Sequence, residues 1–210
     1  MIQVNDISLQ TFLKVSKRGI ALKLLETILI RDGKVHYLHY HQQRLQRSYH
    51  ELFSTQAPFH LKELIKVPKD HQSYRCRVIY DQENISIEYI PYLTTLKQSY
   101  ELIEIDFDYT HKYLNRDCIN HAMKNLKKDC EAVFVKNDLI TDTSIANVAC
   151  LINNQWLTPK KPLLRGTTRE RLLDEKKLIL ADISVKDFKN SDKIAFFNAL
   201  TGFYELPIST

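Results

Sequence analysis

Glycine is scarce in this sequence of 210 residues. Only four glycines are present, and no two of them have the spacing of a GxGxxG or GxxxxGK[ST] loop. The sequence therefore excludes the phosphate-binding loops of Rossmann and P-loop proteins. Any phosphate ligand would have to be held by helix N-termini and side chains. The four glycines are Gly19, Gly33, Gly166 and Gly202.

Close cysteine pairs and long apolar runs are also missing. None of the four cysteines forms a CxxC pair, so neither a zinc site nor a redox dithiol is predicted, and we expect reduced, mostly buried thiols. No run of about 18 apolar residues exists, so no membrane span is expected. The first 19 residues have no apolar stretch of signal-peptide length, and we expect a cytoplasmic protein. The cysteines are Cys76, Cys118, Cys130 and Cys150.

The net charge of +5 comes from dispersed positive residues. They are interleaved with acidic residues, as in KKPLLRGTTRERLLDEKK, and are not gathered into the stripe that nucleic-acid binding needs. This distribution suits a small anionic ligand or a solvated surface. We therefore expect a small anionic ligand, and neither a nucleic-acid nor a membrane partner.

Residues 1–95 are predicted to form an N-terminal α+β domain. An apolar run over 21–31 is followed by Asp32-Gly33, a pair that favours a β-hairpin because both residues accept positive φ. Helical spacing then predicts an amphipathic helix with Leu45, Tyr49, Leu52 and Phe53 on one face. Two further strands are expected at YRCRVIYD and ISIEYIPY.

A second domain, over residues 98–210, is predicted after a linker at 93–100, where the apolar pattern is lost. Its alternating strands and helices indicate, with the first domain, an α/β (α+β) fold of two small mixed domains. Its predicted elements are a strand at ELIEIDF, a helix over about 116–128, a strand at EAVFVK, a turn at Asn137-Asp138, a hairpin through Asn153-Asn154, a helix from Thr167 through RERLLDEKKL and a last strand at KIAFFNAL.

The segment LLRGTTRERLL is a candidate phosphate site. Gly166 would let the backbone approach a ligand closely. Thr167 and Thr168 would present backbone N–H groups and hydroxyls at a helix N-terminus, which favours an anion. The alternative is an ordinary N-cap in front of a leucine-rich helix.

Two other segments carry candidate functional groups. Arg44 and Arg47 follow the predicted hairpin and could bind phosphate oxygens, or could belong to a solvated helix face. The nearby histidines lack a carboxylate at ligand spacing, so no metal is predicted. Lys112 lies between a strand and a helix and would be an amine nucleophile if burial lowered its pKa, although composition alone does not distinguish it from other lysines. The three histidines are His36, His39 and His41.

Taken in order, these segments resemble the class IV aminotransferases, the fold-type IV pyridoxal-phosphate enzymes. The family includes branched-chain and D-amino-acid aminotransferases and 4-amino-4-deoxychorismate lyase. The resemblance extends from about Leu25 to Pro207. It rests on four blocks and a terminal strand: LETILIRDGKVHYLHYHQQRLQRS, HKYLNRDCIN, ITDTSIANVACLINNQWLTP, LLRGTTRERLL and KIAFFNALTGFYELPI.

The resemblance implies a D-amino-acid aminotransferase-like fold with pyridoxal 5'-phosphate as cofactor and a small amino- or carboxylate-bearing substrate. Lys112 would form the Schiff base and then move the proton at the substrate Cα. Asp142 stands where the family has a glutamate that pairs with the pyridine nitrogen, which keeps the ring protonated as an electron sink. The resemblance also implies that Arg44, Thr167 and Thr168 bind the phosphate group and that Asn198 lies beside it. Arg77 would bind the substrate carboxylate.

Two departures from the family pattern matter. Aspartate at position 142 is one methylene shorter than glutamate, and Arg165 replaces the usual proline before Gly166. The HKYLNR block is most similar to the lyase version, which implies a lyase that gives 4-aminobenzoate and pyruvate for folate synthesis. Amino transfer on a branched-chain or D-amino acid is the alternative.

The resemblance also implies a homodimer whose partner subunit closes the active site. Aromatic residues near the opening hairpin are candidates for the interface, since aromatics are enriched at such contacts. Alternatively they fill the core of the N-terminal domain. These residues are Phe12, Tyr37, Tyr40 and Tyr49.

Overall fold

The computed structural model describes residues 22–70 and 72–207. These residues form a four-stranded sheet and an eight-stranded sheet with short helices against them, which confirms the predicted mixed fold class. The four-stranded sheet is antiparallel, with strand order β2-β1-β3-β4. Its elements are β1 (Leu24–Arg31), β2 (Lys34–Val35), helix α1 (Leu38–Phe53), helix α2 (Leu61–Leu64), β3 (Tyr74–Tyr80) and β4 (Ile85–Pro91).

Helix α1 packs its apolar face against this sheet, as the helical spacing predicts. Leu45 and Tyr49 are buried in the N-terminal core together with Leu24 and Ile28 of β1, and Leu52 packs against the same cluster. Tyr49 is only 3% exposed, so the expectation that it could supply interface surface is wrong. Its ring belongs to the core.

The eight-stranded sheet follows the order β10-β9-β8-β7-β6-β5, and β11 pairs with both β8 and β12. Its parallel pairs, β5–β6 and β9–β10, require crossover connections, which contain helices α3 and α4. The elements are β5 (Ser99–Glu104), α3 (Asp117–Ala122), β6 (Cys130–Lys136), β7 (Leu139–Thr143), β8 (Asn147–Ile152), β9 (Gln155–Pro159), α4 (Thr167–Asp174), β10 (Ile179–Ala181), α5 (Val185–Lys189), β11 (Lys193–Asn198) and β12 (Gly202–Glu205).

The three predicted hairpin turns are confirmed. Both residues of each turn have positive φ, between 49° and 69°, as two-residue turns of the primed type require. Asparagine and aspartate accept this conformation more readily than other residues with a Cβ. The turns are Asp32-Gly33, Asn137-Asp138 and Asn153-Asn154.

Two predicted helices are too long. The helix expected over 116–128 is confined to Asp117–Ala122, because turns follow it before β6. The helix from Thr167 ends at Asp174, because Lys176 takes a left-handed conformation with φ 56°. The last predicted strand, KIAFFNAL, is confirmed as β11. It is followed by β12, which was not predicted, and the two form a hairpin in which Gly202 has φ 70°.

The cysteines are all free, but only two of them are buried. Cys76 and Cys150 lie in the two cores, whereas Cys118 and Cys130 are partly exposed. The expectation of mostly buried thiols therefore holds for half of them.

Contacts between helices α1 and α4 tie the two sheets together. The guanidinium carbon of Arg171 lies 4.2 Å from the centre of the Tyr37 ring, and the Tyr40 hydroxyl donates to Asp174 at 3.0 Å. Two of the proposed interface aromatics thus make contacts within the chain, although Tyr37 remains 49% exposed. Phe12 lies outside the described residues.

The segment between the two sheets begins after Pro91 and ends before Ser99. The predicted linker at 93–100 includes the first two residues of β5, and the division into domains of 1–95 and 98–210 stays a prediction. Within the described part of the chain, no helix is both long and apolar enough to cross a membrane.

Candidate active site

A central cavity of about 500 Å³ is lined by residues from both sheets. It is formed by β1, β3, the loop before α3, the β7–β8 hairpin, the start of α4 and the β11–β12 turn. The structure brings to this cavity the seven residues for which the family resemblance implies a role, whereas Arg47, the second arginine suggested for phosphate, does not line it. The seven residues are Arg44, Arg77, Lys112, Asp142, Thr167, Thr168 and Asn198.

Lys112 is positioned by backbone contacts between its loop and the start of β1. Its carbonyl accepts a hydrogen bond of 2.9 Å from the Leu25 N–H, and the Leu114 N–H donates to the Lys23 carbonyl at 2.9 Å. Tyr113 forms an isolated bridge with Leu24 between these two bonds. The lysine backbone is therefore held as firmly as a residue in a strand.

The environment of Lys112 favours its neutral amine. Burial, followed by the positive charges of Arg44 and Arg116, lowers its pKa from 10.5 to about 7, although Glu26 opposes the change. A lysine that is partly neutral near pH 7 is a nucleophile and a base. This is the condition under which the sequence predicted a reactive amine.

Arg44 is held by a buried carboxylate that the sequence analysis did not identify. Its Nε and Nη2 donate to the two oxygens of Glu26 at 2.8 and 2.6 Å, and Nδ1 of His41 lies 2.6 Å from the same carboxylate. All three residues are buried. Burial raises the pKa of Glu26, but the Arg44 charge and these hydrogen bonds outweigh it and leave the pKa at about 2.

Burial favours the neutral form of His41 and lowers its pKa despite the adjacent carboxylate. Its Nδ1–H donates to Glu26, because a carboxylate only accepts. Two nitrogens of Arg44 are thus occupied by Glu26, while the residue also lines the central cavity. The third nitrogen, Nη1, does not bond to Glu26. Because the guanidinium group is planar, the two bonds to Glu26 also fix the position of Nη1.

The start of α4 offers backbone donors to the cavity. Gly166 is the N-cap and makes no side-chain capping bond, while Thr167 and Thr168 are 5% and 6% exposed. The first N–H groups of a helix have no partner within the helix, and the helix dipole favours an anion there. Together with Arg44, this end of α4 fits a phosphate group.

Gly166 is required by a close contact with Asn147. A Cβ at position 166 would lie 1.9 Å from Oδ1 of Asn147, which is far inside van der Waals contact. The glycine has an ordinary φ of −71°, so space, and not backbone strain, demands it. Arg165, in place of the family's proline, is exposed and points to Glu170, with 3.2 Å between Nη2 and Oε2.

Asp142 lies on β7 and is fixed from two sides. Asn147 Nδ2 donates to its Oδ1 at 2.7 Å, and the Leu164 N–H donates to its Oδ2 at 2.7 Å. Burial raises its pKa from 3.8 to about 7, against these hydrogen bonds. A carboxylate has about four acceptor sites, so Asp142 keeps the capacity to accept from a protonated ring nitrogen, which would in turn favour its ionised form.

Arg77 and Asn198 already have partners in the chain. Arg77 Nη1 donates to Glu88 Oε2 at 2.7 Å across the β3–β4 pair, in a partly exposed ion pair. Asn198 Oδ1 accepts from the N–H groups of Leu200 and Thr201 at 2.8 and 2.9 Å. Asn198 therefore shapes the β11–β12 turn, and Arg77 reaches the cavity as half of an ion pair.

Four functional candidates were missed from the sequence. Glu26 could have been suspected, because a carboxylate in the apolar run LLETILIR calls for a buried partner. The other three are brought to the cavity by long-range packing, which local patterns do not report. They are Asn147, Arg75 and Arg116.

Within residues 22–70 and 72–207, no group of three or more histidine, cysteine or acidic residues is arranged to hold a metal ion. The cavity instead combines an amine of lowered pKa, a buried carboxylate and an anion cradle, a set that fits pyridoxal phosphate.

Residues 23–207 match the sequence pattern of the amino-transferase class IV family. The chain belongs to the class IV aminotransferases. Pyridoxal phosphate is the cofactor of this family, which confirms the family and the cofactor that the sequence blocks implied.

Relatives within the family agree with this assignment. A protein of Haemophilus influenzae is 35% identical over 184 residues, which cover 85% of this chain and 98% of the relative. A Schizosaccharomyces pombe protein named "Putative aminodeoxychorismate lyase" is 29% identical over 84% of this chain and 85% of its own. A crystal structure from Haemophilus somnus, described as a "putative 4-amino-4-deoxychorismate lyase", is 33% identical with a TM-score of 0.80, over 86% of this chain and 97% of that one.

Proposed function

We propose that this class IV enzyme is a lyase that converts 4-amino-4-deoxychorismate into 4-aminobenzoate and pyruvate. The observation that carries the proposal is the charge of the central cavity. Among the described lining residues, four are arginines and Asp142 alone is a carboxylate. The arginines are Arg44, Arg75, Arg77 and Arg116.

This excess suits an anionic cofactor and a substrate with two carboxylates. Arg44 would be assigned to the phosphate, which leaves three arginines. Arg75 and Arg77 alternate on β3 and so share one face of the strand, and the Nε of Arg75 is buried without a hydrogen-bond partner in the described structure. Arg116 donates to the Ser144 carbonyl at 2.6 Å. Arg77 is already paired with Glu88, whereas Arg75 and Arg116 form no ion pair with a described residue. A branched-chain amino acid carries one carboxylate and would pair with only one of these two arginines.

Lys112 is the proposed proton-transfer group. The reaction removes the proton from the ring carbon that bears the amino group and expels the enolpyruvyl oxygen from the adjacent carbon, so that the ring becomes aromatic. When bound, pyridoxal phosphate would delocalise the electron pair left on the first carbon. An amine whose pKa is about 7 is matched to taking up that proton near neutral pH.

The remaining site residues would hold and orient the cofactor. Arg44 and the first N–H groups of α4 would bind its phosphate, beside the turn shaped by Asn198. Asp142 would accept from the ring nitrogen, since its carboxylate is fixed by Asn147 and Leu164. Arg77 is the proposed ligand of one substrate carboxylate. The names of the Schizosaccharomyces and Haemophilus somnus relatives support the same reaction.

The test is product analysis after incubation of the cofactor-loaded protein with 4-amino-4-deoxychorismate. We expect 4-aminobenzoate and pyruvate in equal amounts, and neither product from the Lys112→Ala variant. Parallel reactions with leucine or D-alanine and 2-oxoglutarate test for amino transfer. Glutamate formation without 4-aminobenzoate would show an aminotransferase and overturn the proposal.

A further inference from the structure

A second cavity, of about 250 Å³, lies beside the central one. We call it the basic cavity. It shares Arg44, Leu163 and Leu164 with the central cavity. Its own walls come from α1, from Thr110 and from the loop after β9. The residues that line only the basic cavity are Arg47, Ser48, Glu51, Thr110, Lys160, Lys161, Pro162 and Arg165.

Positive charge dominates these walls. Four cationic side chains that are absent from the central cavity line the basic cavity, and Glu51 is the single carboxylate among its described lining residues. That carboxylate is already engaged, because Nε2 of His111 lies 2.9 Å from its Oε2. The four cationic residues are Arg47, Lys160, Lys161 and Arg165.

Arg47 is the most informative of the four. It is half-buried, yet its guanidinium forms no hydrogen bond or ion pair with any residue that the structure describes. Burial, and then the charge of Arg165, lowers its pKa. Glu170 and Glu51 oppose this change in pKa. Glu170 is already paired with Arg165 and Arg169 and Glu51 with His111, and neither forms an ion pair with Arg47.

This arrangement differs from a solvated lysine face. Solvated cations project into water and gain little from a fixed geometry. Lys160, Lys161 and Arg165 are exposed, but Arg47 is half-buried and lines the concave site with them. Guanidinium and ammonium groups only donate hydrogen bonds. The ligand must therefore supply several acceptor oxygens and negative charge.

We propose that the basic cavity binds a compact oxyanion with at least two negative charges, of the phosphate or carboxylate type, at a site separate from the cofactor phosphate. The cavity volume limits this ligand to small molecules. The inference rests on the basic cavity alone and is independent of which reaction the central cavity performs.

Calorimetric titration of the full chain, saturated with pyridoxal phosphate, tests this proposal. The cofactor occupies the phosphate cradle in that sample, so that added anions report on other sites. Pyrophosphate and citrate are titrated separately at low ionic strength. We expect saturable binding of at least one of them with one site per chain, and the tighter binder identifies whether phosphate or carboxylate oxygens are preferred.

Three variants locate the site. Arg47→Ala should weaken binding about tenfold, the loss expected for a charge-assisted contact. Lys161→Glu changes an exposed residue that poses little risk to folding, and it should weaken binding at least as much through charge reversal. Lys128→Ala, at an exposed lysine outside either cavity, should leave the affinity unchanged.

Two results would overturn the proposal. The first is the absence of saturable heat with both anions. The second is unchanged affinity in both Arg47→Ala and Lys161→Glu, which would place the bound anion elsewhere on the surface.

Discussion

Asn147 donates a hydrogen bond of 2.7 Å to the carboxylate of Asp142, its register partner in the β7–β8 hairpin. The same Nδ2 donates to the Leu164 carbonyl at 2.9 Å, and the Leu164 N–H donates to the other carboxylate oxygen of Asp142. Asn147 thereby connects the proposed partner of the ring nitrogen to the loop that leads into the phosphate cradle. It also occupies the space that requires glycine at position 166.

A double-mutant cycle between Asn147 and Gly166 tests this arrangement. Gly166→Ala alone should be destabilising because its Cβ would lie 1.9 Å from the Asn147 amide oxygen. Asn147→Ala alone should cost about 1–3 kcal/mol, since buried acceptors lose their donor. Urea unfolding of the double variant should give a smaller loss than the sum of the single losses. Strict additivity would contradict the contact.

Replacement of Glu26 should reveal the importance of its ion pair with Arg44. Glu26→Gln leaves a buried guanidinium without its counter-charge, which costs about 3–5 kcal/mol, and should weaken cofactor retention because the Arg44 fork is no longer fixed. The matched control is Glu88→Gln at the partly exposed pair with Arg77, where about 1 kcal/mol or less is expected. Equal losses in urea unfolding would show that Glu26 does not anchor Arg44.

Two groups of the central cavity, Lys112 and Asp142, should contribute to the pH dependence of stability in the cofactor-free protein. Lys112 has its pKa lowered from 10.5 to about 7, so the unfolded chain binds more protons between these values and stability rises with pH in that window. Asp142 has its pKa raised from 3.8 to about 7, so the folded chain binds more protons between 3.8 and 7, and stability falls as pH rises there.

Because these slopes have opposite signs, the summed contribution of Lys112 and Asp142 to the free energy of unfolding should have a minimum near pH 7. Urea unfolding of the cofactor-free protein and of Lys112→Met between pH 7 and 10 checks the lysine half. The variant should be more stable than the unmodified chain at pH 7 and should lack a positive slope of up to about 1.4 kcal/mol per pH unit. If the free energy of unfolding rose with pH equally in both proteins, a residue other than Lys112 would be responsible for the slope.

Much of the fold was predictable because its signals are local. Asp32-Gly33 and Asn153-Asn154 are turn pairs whose preference for positive φ needs no tertiary context, and the alternation in YRCRVIYD is that of a strand. Helix ends were less predictable. Lys176 ends α4 by adopting a left-handed conformation that nothing in its identity demands.

The candidate site was predictable only in part. Lys112 and Asp142 were identified through resemblance to the family, since no local rule distinguishes one lysine among many. Glu26 pairs with Arg44 from 18 positions away, and Arg116 reaches the Ser144 carbonyl across 28 positions. Such contacts depend on how two sheets pack together, which a pattern of hydrophobic residues does not specify.

Assembly provides a further prediction. We expect a two-fold symmetric homodimer whose interface buries on the order of 2,000 Å², because a short chain has little material of its own with which to exclude water from the cavity. Leu93 is 89% exposed and Ile145, on the cavity wall, is 52% exposed. Across a dilution series, the molar mass measured by light scattering and the specific activity should fall together. A fully active monomer would contradict this expectation.

The most direct test of the central claim is to locate the cofactor on the chain. The protein is loaded with pyridoxal phosphate, reduced with borohydride, digested and analysed by mass spectrometry. The account predicts cofactor fixed on the peptide that contains Lys112, with the label lost in Lys112→Ala while circular dichroism shows a folded chain, and retained in the control Lys23→Ala, at an exposed neighbouring lysine. Cofactor fixed on a different lysine, or fixed equally well in Lys112→Ala, would contradict it.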